Sequence, residues 1–459
     1  MKLRFWGGAG TVTGSKHLLT SGKHSLLLEC GLFQGHRDEA EHTNRNLPFK
    51  AREVDHCVVS HAHIDHVGNV PSLVKYGFRG QVLMTRGSVA LAKLLLLDSA
   101  HIQESDVRYV NKHRRNNGSE PREPIYTVRD AEEALRYLEG TSYARRNKLG
   151  PFSVVLHDAG HILGSALVDI EVEGRRVLFT GDLGRKRMPI IRDPVQVTEA
   201  DFLIIEATYG NRLHGDYSQV DTRLADVVNR VYQRGGKLIV PSFAVERSQE
   251  IVYTLNRLRQ ADRIPAIPVY VDSPLASSVT EVYRSYPQYY DDEAYGMLNG
   301  HNQPFDFEGL RYVASVEESK ALNVSTEPCI IISASGMCEA GRVLHHLKHS
   351  VEDPRNAVLI VSFQAENTLG RRLVEREPVV RIWGEEHIVR CDVVVMNEFS
   401  AHADRNGLIA YVAGMNLPRL KKAFVVHSEP ASAEAMVAPL RSLGVREVIL
   451  PKVGDEYDI

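Results

Sequence analysis

Residues 61–66 read His-Ala-His-Ile-Asp-His, which puts three imidazoles and one carboxylate into six positions. In an extended segment side chains alternate, so His61 and His63 point the same way and can grip one cation. Asp65 and His66 come after a turn and can grip a second. Nitrogen and oxygen donors of this kind suit Zn²⁺, with bonds of about 2.0–2.2 Å, and tolerate Mn²⁺. The spacing is wrong for the i, i+4 histidine pair of a helical zinc motif. With 20 histidines in 459 residues, such a run arises by chance in about 2 of 1,000 chains, so it reads as a metal site. Two cations need more donors than these four. His161 in DAGHILGS, Asp182 in FTGDLG and His427 in AFVVH each follow a short apolar run, the place where a strand end presents a side chain.

The elements that must hold these residues are legible as patterns. Short apolar or alternating runs at 3–6, 25–29, 56–60, 154–157, 167–172, 177–180 and 202–206 predict strands, and 88–105 predicts a helix. The rhythm then changes. Leu224, Val227, Val228 and Val231 form a helical stripe closed by Gly235 and Gly236. A strand at 237–240 follows, then a second stripe of Ile251, Val252, Leu255 and Leu258. Strands at 268–271 and 330–333 and a helix at 339–349 continue the alternation expected of a parallel α/β unit. From 393–396 the chain returns to strand, helix (404–413) and strand (423–427). This predicts an α/β domain inserted into a strand-rich one.

Composition narrows the class. Lys plus Arg is 55, Asp plus Glu is 58, and the net charge is −3. A general coat of basic charge is excluded, so any nucleic acid must bind in a local groove. Arg145-Arg146 and Arg185-Lys186-Arg187 read as solvated faces. The five cysteines, Cys30, Cys57, Cys329, Cys338 and Cys391, form no CxxC pair, which suits a reduced, cytoplasmic compartment. The opening MKLRFWGGAG reaches glycine before a signal-type apolar run can form. No run approaches the roughly 18 apolar residues of a membrane span.

The motif HAHIDH, together with ECG at 29–31, AGH at 159–161 and GD at 181–182, resembles the metallo-β-lactamase superfamily. EATYG (206–210), PSFAVERSQE (241–250), DSPLA (272–276), SASGM (333–337), FSAHAD (399–404) and VVHSE (425–429) resemble its β-CASP branch, which holds RNA-processing nucleases such as ribonuclease J and the endonuclease subunit of the pre-mRNA cleavage factor. The resemblance covers essentially the whole chain. It implies an αββα sandwich, residues 1–207 and 396–459, interrupted by an α/β (β-CASP) cap at 208–395. It implies two Zn²⁺ per chain, one held by His61, His63 and His161, the other by Asp65, His66 and His427, with Asp182 between them. Glu29 stands where aspartate is common and would order the ligand loop from behind. The last motif reads HSE where HGE is frequent. His427 in that motif points to RNA, single-stranded, rather than DNA.

The chemistry so implied is hydrolysis of RNA phosphodiester bonds by a hydroxide bridging two zincs, endonucleolytic or 5′–3′ exonucleolytic, leaving 5′ phosphate and 3′ hydroxyl. His402 is the candidate general acid and Glu206 its partner, with Asp65 at the catalytic centre. Ser333, Ser335 and Gly336, after a strand and before a helix, are candidates to cradle a phosphate, and Arg371 and Arg372 to add charge. A homodimer is expected from the resemblance alone. Two rivals share parts of this pattern: a small-molecule metallo-hydrolase with the same loop, and a non-catalytic RNA-processing scaffold. The inserted cap argues against the first and the complete ligand set against the second.

Overall fold

Along Phe152–Asp158 buried and partly exposed positions alternate, as in a strand with one face in a core. Its neighbour Ala166–Val172 is buried almost throughout. Strands of this kind build two seven-stranded sheets among the described residues of the computed structural model, which are 1–116, 120–298 and 303–459. One sheet runs Glu456–Asp458, Lys2–Gly7, Lys16–Ser21, His24–Leu28, His56–Val58, Val82–Thr85, Leu138–Thr141. The other runs Glu447–Ile449, Lys422–Val426, Phe202–Glu206, Arg175–Phe179, Ala166–Val172, Phe152–Asp158, Arg146–Leu149.

Their inner faces share one core. Leu3, Phe5, Leu19, Leu26, Leu28 and Val58 meet Val154, Leu156, Val168, Ile170, Phe179, Ile204 and Phe424. The outer face of the second sheet, through Leu167, Leu178, Leu203, Ile205 and Val425, packs on helices Arg405–Ala413 and Pro430–Leu443. Helix Arg86–Asn116 lies on strands of the first sheet. It extends past the predicted 88–105 at both ends. The order helix, sheet, sheet, helix is the predicted sandwich.

The chain divides into two compact units. The sandwich comprises Met1–Arg187, Arg192–Leu213 and His402–Ile459. The second unit comprises Met188–Ile191 and His214–Ala401. Its six-stranded sheet, in the order Leu310–Tyr312, Val269–Val271, Cys329–Ser333, Lys237–Pro241, Ala357–Ile360, Asp392–Val395, is parallel at every pairing. That topology needs crossover helices, and Val220–Gln233 and Arg247–Gln260 carry the apolar stripes read above. The helix predicted at 339–349 is shorter, Val343–Lys348. Gly341 at φ +83° sits in the turn before it, in the left-handed region that a helix interior excludes.

Candidate metal centre

Four strands of the second sheet end at one edge and each delivers a chemical side chain. Arg175–Phe179, Phe202–Glu206 and Lys422–Val426 are parallel neighbours, and Phe152–Asp158 runs the same way, two strands from Arg175–Phe179. Beyond these ends lie His161, Asp182 and His427, while Glu206 is the last residue of its strand. From the other sheet, His56–Val58 leads into His61 and His63, and a short helix, Ile64–Val67, carries Asp65 and His66. The segment 29–32 holds this loop by backbone bonds, Cys30 N–H to His66 O at 2.8 Å and Leu32 N–H to Ile64 O at 2.9 Å.

The donor atoms form three clusters among the described residues, the third being Asp182, Glu206 and His402. His61, His63, His161 and Asp182 bring one atom each within 4.8 Å of one another, as do Asp65, His66 and His427. In the first cluster His61 Nε2 lies 3.0 Å from His63 Nδ1, and His161 Nε2 lies 3.3 Å from it. Asp182 Oδ2 is 3.4 Å from both His61 Nε2 and His161 Nε2. In the second, His427 Nε2 is 3.2 Å from His66 Nε2 and 3.3 Å from Asp65 Oδ2. The other carboxylate oxygen, Asp182 Oδ1, is 3.3 Å from His66 Nε2. Ligand atoms around a tetrahedral ion with bonds of about 2.0–2.1 Å stand about 3.3–3.4 Å apart. The donor spacing and the nitrogen–oxygen donor set therefore fit divalent cations of the zinc kind.

Electrostatics agree with that fit at the His61 cluster, while at His66 burial lowers the imidazole but the Asp182 and Asp65 carboxylates outweigh it and raise it well above its usual value. Burial pushes His61 down to about 3 and His63 to about 4, and lowers His161 as well. Their nitrogens are therefore neutral lone pairs, the form that ligates. Burial alone raises Asp182, but His427, His66 and His61 outweigh it and hold the carboxylate well below its usual range. Burial likewise opposes ionisation of Asp65, and His66 with His427 overcomes it. In the third cluster, His402 Nδ1 is 3.0 Å from Glu206 Oε1, and His402 Nε2 is 3.9 Å from Asp182 Oδ2. Burial lowers the His402 imidazole, but Glu206 and Asp182 prevail and raise it to about 9. Glu206 is fully buried and accepts from the Leu183 and Thr208 N–H groups, each at 2.9 Å.

Comparison with known proteins follows this geometry. Residues 11–213 match the metallo-beta-lactamase superfamily, 248–373 the Beta-Casp domain, and 386–451 the Zn-dependent metallo-hydrolase RNA specificity domain. A protein named as a ribonuclease in Thermus thermophilus is 37% identical over 456 residues, 99% of each chain. The chain belongs to the β-CASP branch of the metallo-β-lactamase superfamily. An RNase J-like protein of Methanocaldococcus jannaschii is 30% identical over 93% of this chain and 92% of its own. The transcription termination factor FttA of the same organism is 29% identical over 98% of this chain and 70% of its own. A crystal structure of a protein of unknown function from Enterococcus faecalis V583 covers 99% of both chains at TM-score 0.56 and 13% identity, a likeness of fold.

This β-CASP metallo-hydrolase carries supports behind these residues: Ser60 and Thr208, which sequence reasoning did not name, and Glu29, which it did. Ser60 Oγ lies 2.9 Å from His61 Nδ1, which leaves Nε2 to face the cluster. Thr208 Oγ1 lies 3.2 Å from His427 Nδ1 and donates to His427 O at 3.2 Å. Glu29 accepts from the Ser60 N–H at 3.0 Å, and its other oxygen is 3.7 Å from His66 Nδ1. The signal for Ser60 and Thr208 was adjacency: Ser60 precedes His61 and Thr208 lies two residues after Glu206. The remaining candidates belong to the second unit. There Ser333 Oγ donates to the Asp272 carbonyl at 2.8 Å, and Ser335 Oγ accepts from the Glu339 and Ala340 N–H groups at 3.2 and 3.3 Å. The Gly336 carbonyl accepts from Gln364 Nε2 at 2.9 Å. Arg371 and Arg372 lie on helix Leu369–Val374, and Arg371 pairs with Glu375 at 2.6 Å. Asp272, fully buried with His346 at 2.7 Å and Arg342 at 2.5 Å, organises the turn that holds Ser333.

Proposed function

We propose that the protein is a metal-dependent ribonuclease that hydrolyses phosphodiester bonds of single-stranded RNA and leaves a 5′ phosphate and a 3′ hydroxyl. The observation that carries this reading is the pair of donor clusters around His61 and His66, with Asp182 in the first and its other oxygen 3.3 Å from His66 Nε2 of the second, and the Glu206–His402 pair beside them. The relatives named ribonuclease and RNase J-like protein, and the match to an RNA specificity domain, support RNA as the substrate.

His61, His63, His161 and Asp182 would hold one Zn²⁺ or Mn²⁺, and Asp65, His66, His427 and Asp182 a second. When bound, such ions lower the pKa of water toward about 7 and stabilise charge on phosphoryl oxygens. The protein's own groups do the rest. Buried Glu206, fixed by two N–H donors, orients the His402 ring through Nδ1 and keeps it protonated at neutral pH. His402 Nε2 then faces the Asp182 side of the centre and donates its proton to the leaving 3′ oxygen. Ser60 and Thr208 hold His61 and His427 in place, as partners of ligating histidines do elsewhere.

The test is cleavage of a labelled unstructured RNA by purified protein, beside Asp65→Ala and a chelator control. A matched DNA strand, nitrocefin, and RNAs with 5′ mono- and triphosphate complete the panel. RNA fragments with 5′ phosphates, lost in the variant and with chelator, support the reading. Internal fragments indicate endonuclease action, and mononucleotides released only from monophosphate ends indicate 5′–3′ exonuclease action. Nitrocefin hydrolysis without RNA cleavage by protein holding its metals would overturn it in favour of a small-molecule hydrolase.

A further inference from the structure

Three segments of the sandwich unit are joined by backbone bonds at the His402 side of the centre. Gly184 forms an antiparallel bridge with His402, and Ala403 N–H donates to Leu183 O at 2.7 Å. Tyr209 forms a parallel bridge with Asp404, and Arg405 N–H donates to Arg212 O at 3.1 Å. Each segment carries cations next to these bonds: Arg185, Lys186 and Arg187 on the first, Arg212 on the second, Arg405 on the third. Lys186, Arg187, Arg212 and Arg405 are exposed and Arg185 is half-buried. Asp193 accepts from the Arg187 N–H at 2.6 Å, and Asp404 caps its helix through Gly407 N–H at 2.9 Å. Lys186, Arg187 and Arg405 thus place exposed positive charge on two of the segments joined at His402.

We propose that this crescent binds the backbone phosphates of the RNA strand upstream of the cut. The inference rests on the ribonuclease reading above. If His402 protonates the leaving 3′ oxygen, the nucleotide that owns that oxygen lies on the His402 side. The strand on its 5′ side then continues over the segments zipped to His402. Phosphate contacts from several backbone-linked cations fix a strand without reading its sequence. The half-buried Tyr209, its ring centroid 5.9 Å from that of His402, stands where a base of the upstream strand can stack.

The experiment compares wild type with the triple variant Lys186→Gln, Arg187→Gln, Arg405→Gln. RNA binding is read by fluorescence anisotropy in chelator between 50 and 200 mM salt, and cleavage with metal. Each lost single-strand phosphate contact lowers the log–log salt slope by about 0.7. Three lost contacts lower it by about 2, so over this fourfold salt range wild type loses about 20-fold more affinity than the variant. In cleavage, the ratio of wild-type to variant kcat/KM should shrink toward one as nucleotides are trimmed from the upstream side. Trimming downstream should leave it unchanged. Wild type that cuts RNA while the variant keeps its salt slope, or a ratio that follows downstream length, overturns the crescent alone. Wild type that neither binds nor cuts RNA overturns the ribonuclease reading and the crescent with it.

Discussion

Gly31 sits where a methyl group would collide with the ligand loop. A Cβ built there lies 1.5 Å from Asp65 O, 2.1 Å from Asp65 C and 2.8 Å from His66 N. These are backbone atoms, so no side chain can swing away. To restore a separation of even 3.0 Å, the Asp65 carbonyl must withdraw by at least 1.5 Å. Metal ligand distances tolerate about 0.2 Å. The displaced backbone belongs to Asp65 and His66 themselves, so Gly31→Ala acts first on the Asp65, His66, His427 cluster. Its affinity for zinc should fall by more than the roughly 10–100-fold that changes behind a ligand usually cost. Overpacking should also cost about 1–3 kcal/mol or more. Metal content after gel filtration, chelator competition and thermal melting of the stripped protein read the two effects separately. Gly296→Ala is the control, since a Cβ there meets nothing within 4 Å and helix Asp292–Met297 should tolerate it. A Gly31→Ala protein with the zinc content and melting temperature of wild type would refute the close-approach reasoning.

Three further outcomes are expected. His402→Ala should retain its metals by elemental analysis and lose about 10²–10⁴-fold in kcat; full turnover would remove the acid role. Ser60→Ala deletes the hydroxyl 2.9 Å from His61 Nδ1 and should weaken zinc at the His61 cluster by about 10–100-fold in chelator titration, and unchanged affinity would mean the ring needs no such partner. Burial raises Asp158 to about 7, against hydrogen bonding from Gly160 N–H and the nearby Arg192 charge. Its contribution to stability is fully present below about 3.8, the ordinary value, and is lost as pH climbs to about 7. Asp158→Asn removes that loss, so its stability relative to wild type should be about 3 kcal/mol more favourable at pH 8 than at pH 5 in denaturant melts; an equal difference at both pH values contradicts the burial argument.

Much of the candidate site was legible along the chain because its candidate ligands sit at short spacings or at strand ends. HAHIDH holds four donors in six residues, and His161, Asp182 and His427 each follow an apolar run that is a strand. The alternation of strands and helices from 220 to 395 likewise marked a parallel α/β unit, because stripes of period 3.6 and runs of β-branched residues are local patterns. Local pattern also has limits. It carried the helix at 339–349 past Gly341, whose backbone adopts φ +83°.

Residue types and order thus determined the kind of chemistry, the metal-binding character and the class of fold. Tertiary structure decided that the two oxygens of Asp182 face different clusters, because residues 161, 182, 206 and 427 meet only when four parallel strands end at one edge of a sheet, with His61 and His66 arriving from the other sheet. It also set the 3.0 Å separation of Glu206 and His402, 196 positions apart and already paired in the sequence reading, and decided that Gly31 must lack a side chain. These are through-space contacts between distant segments, set by the pairing of strands and the packing of two sheets, and no spacing within the chain encodes their distances.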